Sequence, residues 1–240
     1  MKTLITVLLL TCVSGLSAQQ ADSLQYVLGR FDPKDHPDFR EVQVSLASRN
    51  GMYLRIVVLT AFAQMRKVAK EDGIDLRIIS ATRNFNSQKR IWESKWNGTR
   101  KVDGKNLAET ISDPAKRARK ILRYSSMPGT SRHHWGTDID INSLSPAYFA
   151  SGRGKAEYEW LRDNAHLHGF CQMYSAKGED GRKGYEEEKW HWSYLPIASK
   201  LLTFYTENVK PVHIFGFNGS DALPFAEVSE YVFGINPECR

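Results

Sequence analysis

The chain has 240 residues, 41% of them hydrophobic and 25% charged, with a formal net charge of +6. That length suits one domain with a sizeable core, and the composition is that of an ordinary globular protein. The basic excess is mild and its residues alternate with acids, which argues against a nucleic-acid partner, and no internal stretch is apolar for long enough to span a bilayer.

At the N-terminus, Lys2 precedes the apolar run from Leu4 to Val13, and the small residues of Ser17-Ala18 follow. A basic start, a short apolar centre and an alanine exit read as a secretory signal peptide over 1–18, cut after Ala18. Thr11 is a poor residue before a lipidated cysteine, which disfavours a lipoprotein route through Cys12. The expectation is an exported, periplasmic or extracellular monomer comprising 19–240, with no stable membrane insertion. Export makes a disulfide between Cys171 and Cys239 feasible, but the sequence does not decide the pairing.

Residues 19–50 are polar and rich in turn signals, with His36 in a surface loop. From Met52 to Glu71, Leu54, Val58, Ala61, Met65, Val68 and Ala69 recur at three- and four-residue steps, which predicts a helix ended by Asp72-Gly73. Ile74, Leu76 and Ile78 alternate through a strand over 74–80. A helix follows from Asn86 to Trp96, ended by Asn97-Gly98. Asp113-Pro114 opens the basic helix 114–124, read as a solvated face. Gly154 to His168 reads as amphipathic, with Ala156, Trp160, Leu161, Ala165 and Leu167 buried and Gly169 at its end. A short strand over 170–174 precedes a glycine- and charge-rich loop, and Pro196 opens a helix to about Val209. Beyond Pro211, Phe215, Phe217, Phe225 and Tyr231 are expected to pack on the body.

Two clusters carry the chemistry. The first is Ser131-Arg132-His133-His134-Trp135-Gly136-Thr137-Asp138-Ile139-Asp140-Ile141, and the second is Glu188-Lys189-Trp190-His191-Trp192. Seven extended steps from His133 to Asp140 would span roughly 23 Å, whereas two ligands of one zinc each sit about 2 Å from it. The chain must therefore reverse between them, and Gly136 is the residue suited to a tight reversal. Residues 137–142 alternate as a strand, so Asp138 and Asp140 share one face and Ile139 and Ile141 the other. If the two clusters meet, His133, Asp140 and His191 supply three protein ligands and leave an open position, the pattern of a catalytic zinc site. Glu188 stands beside it as a base if it occupies a turn before the strand 189–195, with Trp190 and Trp192 packing the core. His134 in place of His133, and Asp138 in place of Asp140, remain alternatives from the residues alone. Asp138 is favoured as an acceptor that orients a metal-bound histidine or a substrate group.

Ser131-x-His133-x-x-Gly136-x-x-x-Asp140 together with Glu188-x-Trp190-His191 resembles the zinc D-alanyl-D-alanine peptidases of the VanY and VanX kind. The segment Ser80-Ala81-Thr82-Arg83-Asn84-Phe85-Asn86-Ser87-Gln88 matches a third motif of that family, which usually has alanine where Asp138 stands. The resemblance implies one Zn²⁺ as cofactor, Glu188 as catalytic base, Arg83 gripping a substrate's C-terminal carboxylate, and Gln88, Ser131 and Arg132 near the substrate. It also implies hydrolysis of peptidoglycan peptides, most simply D,D-carboxypeptidase action on a stem peptide ending in D-Ala-D-Ala. A wall-peptide endopeptidase and a non-catalytic zinc protein that binds cell wall are the rival readings. The implied fold is α+β, a small antiparallel sheet (74–80, 137–142 and 189–195) with helices packed on it and the zinc site in a cleft on the sheet.

Overall fold

The computed structural model describes residues 20, 22–178 and 182–240; the expected signal peptide and Cys12 lie outside them. A helix, α1, covers 22–27. Strands β1 (Phe39–Glu41) and β2 (Tyr53–Arg55) form an antiparallel pair. Helix α2 (Ile56–Glu71) leads to strand β3 (Ile78–Ser80), and α3 (Phe85–Trp96), α4 (Leu107–Thr110) and α5 (Pro114–Leu122) follow. The chain then runs through a 3₁₀ turn (Arg132–Trp135) into β4 (Asp138–Ile141), α6 (Gly152–Asn164), β5 (Phe170–Gln172), β6 (His191–Tyr194), α7 (Leu195–Asn208) and α8 (Phe225–Phe233). The second sheet has the order β3-β4-β6-β5 and is antiparallel throughout. The fold is α+β, as expected. No helix among the described residues is long and apolar enough to cross a membrane.

Several boundaries differ from the expectation for identifiable reasons. Helix α2 begins at Ile56, because Tyr53–Arg55 pairs with Phe39–Glu41 and Leu54 is buried from a strand. Backbone pairing there overrides an apolar period that fits either structure. Only the last third of the expected strand 74–80 pairs, at Ile78 and Ser80. Val68, Ala156 and Leu167 are exposed, and Glu157 holds the inward position on α6 through bonds from Tyr148 Oη (2.7 Å) and Arg153 Nε (2.7 Å). In the tail Phe217 is buried, but Phe215 is 53% exposed. Other termini follow the sequence signals: Asn84 Oδ1 accepts from Ser87 N to cap α3, and Asp113 caps α5 with Pro114 in its first turn.

Two apolar clusters flank the sheet. One gathers Val58, Phe62 and Met65 of α2 with Ile78, Ile139, Ile141, Phe170 and Trp192 on one face of the sheet. The other fills the space among α3, α5, α7 and α8 with Trp92, Ile121, Trp135, Tyr205 and Val232. The opposite sheet face is polar. Strand alternation puts Asp138 and Asp140 there on β4, beside Ser193 and His191 of β6, in the register Asp138↔Ser193 and Asp140↔His191.

Candidate active site

The 3₁₀ turn carries His133 back over β4. Gly136 closes the turn at φ +70°, and a Cβ built there would stand 2.3 Å from Phe39 Cε1. Only a residue without a side chain fits both constraints. His133 Nδ1 donates to Ala81 O at 2.9 Å, so its lone pair lies on Nε2, which is buried and makes no hydrogen bond. That nitrogen is 3.4 Å from Asp140 Oδ1, itself buried and without a hydrogen-bond partner. His191 Nδ1 stands 3.6 Å from the same oxygen.

Ligand atoms of His133, Asp140 and His191 all lie within 4.8 Å of one another. Two imidazole nitrogens and one carboxylate oxygen, buried and convergent, are a donor set that fits a divalent transition metal and suits Zn²⁺. The orphaned atoms on His133 and Asp140 support the fit, because buried polar atoms ordinarily have partners.

His134 is directed elsewhere. Its Nδ1 meets Arg83 O and its Nε2 accepts from Gly129 N at 3.0 Å, while burial pulls its pKa down to about 3. Asp138 sits behind His191. Its Oδ2 accepts from His191 Nε2 at 2.8 Å and from Arg132 Nε at 3.1 Å, and its Oδ1 accepts from Ser193 Oγ at 2.6 Å and Thr137 Oγ1 at 2.7 Å. Burial alone would raise Asp138, but the Arg132 charge and the His191 contact outweigh it and hold the carboxyl well below its usual range. Arg132 thus enters the site as a buried counter-ion, with its guanidinium 4.5 Å over the Trp135 ring.

Glu188 lies in a turn before β6, where His191 N donates to Glu188 O at 3.2 Å. This turn brings both side chains of the Glu-x-x-His pair to one point, and Glu188 Oε2 stands 3.1 Å from His191 Nδ1. Burial raises the Glu188 pKa, against the opposing pull of His191. For His191 the order is reversed: burial lowers it, yet contacts with Asp138 and Glu188 lift it to about 9. A metal ion held by His191 would take the place of that proton.

These groups open into a cleft of about 490 Å³ lined also by Arg83, Lys95, Arg100, Tyr124, Tyr174, Tyr185 and Trp190. Arg83 donates from Nη1 to Ser80 Oγ at 3.1 Å and lies 3.8 Å from Asp140 Oδ2. Gln88 and Ser131 do not line the cleft. Gln88 faces inward from α3 and donates from Nε2 to Ser126 O at 2.7 Å, bracing the loop that forms the wall; Ser131, at the start of the 3₁₀ turn, is buried. Trp190 also departs from the expectation: it precedes β6 in the turn, stacks on Phe149 (centroids 6.4 Å) and faces the cleft, while Trp192 packs the core.

Lys95, Tyr174 and Tyr185 were not singled out from the sequence. Ile91 and Lys95, four residues apart on α3, share the face that lines the cleft, a spacing that was available. Nothing local marks the two tyrosines.

Residues 51–197 match the family model described as VanY, D-alanyl-D-alanine carboxypeptidase. This chain belongs to the VanY family. A Bacillus subtilis (strain 168) protein named as a carboxypeptidase, YodJ, is 30% identical over 189 residues, 74% of this chain and 60% of its own length. The D-alanyl-D-alanine carboxypeptidase of Enterococcus faecalis (strain ATCC 700802 / V583) is 27% identical over 156 residues, 65% of this chain and 53% of that one. The chain therefore spans little more than half the length of these curated relatives. Among solved structures, the LdcB LD-carboxypeptidase is similar at a TM-score of 0.53 and 25% identity, covering 76% of this chain and 81% of that one. The VanY match takes in every residue of the histidine–aspartate cluster as well as Arg83 and Glu188.

Proposed function

We propose that this chain is a zinc-dependent carboxypeptidase that removes a C-terminal D-alanine from a peptidoglycan peptide. The observation that carries the reading is the convergence of His133, Asp140 and His191 within 4.8 Å, with the Glu188 carboxylate 3.1 Å from His191. A purely structural metal site needs no such carboxylate. When bound, zinc polarises the scissile carbonyl and lowers the pKa of the attacking water. Glu188 takes the water's proton and passes it to the leaving amine; its burial-raised pKa suits the second half of that task. Arg132 Nη1, a buried N–H without a hydrogen-bond partner, is a donor available to the developing oxyanion. Arg83 offers a planar donor fork to the terminal carboxylate, which fixes the cut one residue from the end. Asp138 keeps the His191 ring in place.

The family description supports cleavage between two D-alanines, while the likeness to LdcB favours a second reading, release of a terminal D-alanine that is joined through an L,D bond. The disulfide between Cys171 and Cys239 is in keeping with an exported protein. The test is D-alanine release from synthetic stem peptides ending in either bond. Chelator should abolish release and Zn²⁺ restore it. Glu188→Gln should lower kcat by about 10²–10⁴ while the protein still holds zinc. No release from either peptide by the zinc-loaded protein would overturn the proposal.

A further inference from the structure

The reading above uses one cationic group for one carboxylate, yet besides Arg132, which is paired with Asp138, the cleft is lined by three: Arg83, Lys95 and Arg100. Arg83 precedes α3 and Lys95 lies in its last turn, and both line the cleft. Arg100, in the segment after α3, joins them. Lys95 has one polar partner among the described residues, the neutral Ser125 Oγ. Neither Lys95 nor Arg100 makes an ion pair with a described carboxylate. The nearby Asp103 is already engaged by Lys120 and by Arg123 (3.3 Å).

Half-burying an ammonium without a counter-charge is unfavourable. Burial first, then the charges of Arg100 and Arg83, pull Lys95 down to about 8. The charges of Glu188 and Asp103 offset only part of that cost, and α3 does not need the lysine to hold its place, since Trp92 anchors it in the core and Asn84 caps its other end. A ligand anion would offset the remainder.

We propose that Lys95, assisted by Arg100, is the specificity-determining group of this cleft and binds a side-chain carboxylate on the acyl side of the bond that is cut. The inference rests on the carboxypeptidase reading, in which Arg83 already holds the terminal carboxylate. The substrate class is then an acidic peptide with a second carboxylate upstream of its terminal D-alanine.

Two peptides that differ only in that side chain, free carboxylate against carboxamide, test it. The zinc-loaded protein should favour the carboxylate at least tenfold in kcat/KM, mainly through KM. Lys95→Met should erase the preference by weakening the carboxylate peptide alone, and Lys95→Arg should restore most of it. Equal turnover of the two peptides by the unaltered protein, or an equal loss on both in Lys95→Met, would overturn the proposal. Calorimetric binding of the same peptides to Glu188→Gln gives a readout independent of turnover. Tighter binding of the carboxylate form that disappears in the Glu188→Gln, Lys95→Met double variant supports this inference even if neither peptide is cleaved, and indifference to the carboxylate sinks it even if both are.

Discussion

His191 offers two ring nitrogens, and each meets a different group. Nε2 points to Asp138 at 2.8 Å, which leaves Nδ1 turned toward Asp140 and Glu188. A carboxylate behind a ligating imidazole fixes its tautomer and ring orientation, so its loss typically weakens metal binding by about 10–100-fold. Asp138→Asn should show a loss of that size in zinc competition against a chromophoric chelator, and a lower melting temperature because Arg132 is left buried without its counter-charge; unchanged affinity would show that Asp138 does not orient the ring. Lys95 gives a second expectation, and the sign follows from its depressed pKa. Between about pH 8 and about pH 10 the unfolded chain binds a proton that the folded chain does not, so stability rises with pH across that window. Below it the charged lysine is a penalty, set by burial and by Arg100 and Arg83 against the partial relief of Glu188 and Asp103. Lys95→Met should therefore raise the melting temperature by about 3 °C at pH 7 and by almost nothing at pH 10. An equal gain at both would assign the effect to packing. At this scale the types of candidate ligand were legible in the residues, because a histidine, a reversal glycine and an aspartate are joined by a separate Glu-x-x-His pair, while the choice between His133 and His134 and between Asp138 and Asp140 stayed open. The destination of His134 was not legible: its neighbours Gly129 and the Arg83 carbonyl come from outside its own turn.

Among the elements, the 3₁₀ turn and β4 do most to assemble the site. The turn at Arg132–Trp135 and Gly136 reverses the chain so that His133 lies over Asp140. Gly136→Ala would demand both a left-handed backbone and space held by the Phe39 ring 2.3 Å away. A loss of about 2–4 kcal/mol is expected from strain and overpacking together, read as a lower denaturation midpoint with zinc affinity falling alongside; an unchanged midpoint would mean the loop relaxes freely. Pairing in β4 was legible as period-two alternation, since Ile139 and Ile141 had to reach the core and the aspartates the other face. Strand β2 was not, because an apolar residue at 54 fits the stripe of a following helix as well as a strand. The pairing with Phe39–Glu41 decided it.

At the scale of the whole molecule, two apolar clusters hold the sheet and the helices so that one polar face is left between them. The C-terminal segment adds a tie. Cys239 is bonded to Cys171 on the edge strand β5, and Asn236 N donates to Met173 O at 2.9 Å. Ile235 and Cys239 pack with Met173, Tyr174 and Tyr185, and those two tyrosines line the cleft. A bond across a sequence separation of 68 stabilises by about 2–4 kcal/mol. Replacing both cysteines by serine should lower the melting temperature by about 5–10 °C, and reductant should lower that of the unaltered protein but not of the variant. Equal sensitivity of the two to reductant would rule out this bond as the cause. By itself the sequence determined the ligand types, the alternation that faces two aspartates away from the core, and the places where helices must stop, because each of these is fixed by side-chain chemistry or backbone sterics within a few residues. Which nitrogen of His191 faces Glu188, why Gln88 and Ser131 sit behind the cleft, which cysteines join, and how Lys95 comes to stand without a carboxylate were decided only in three dimensions. Each depends on groups from distant parts of the chain competing for the same few ångströms, and no local pattern records the outcome.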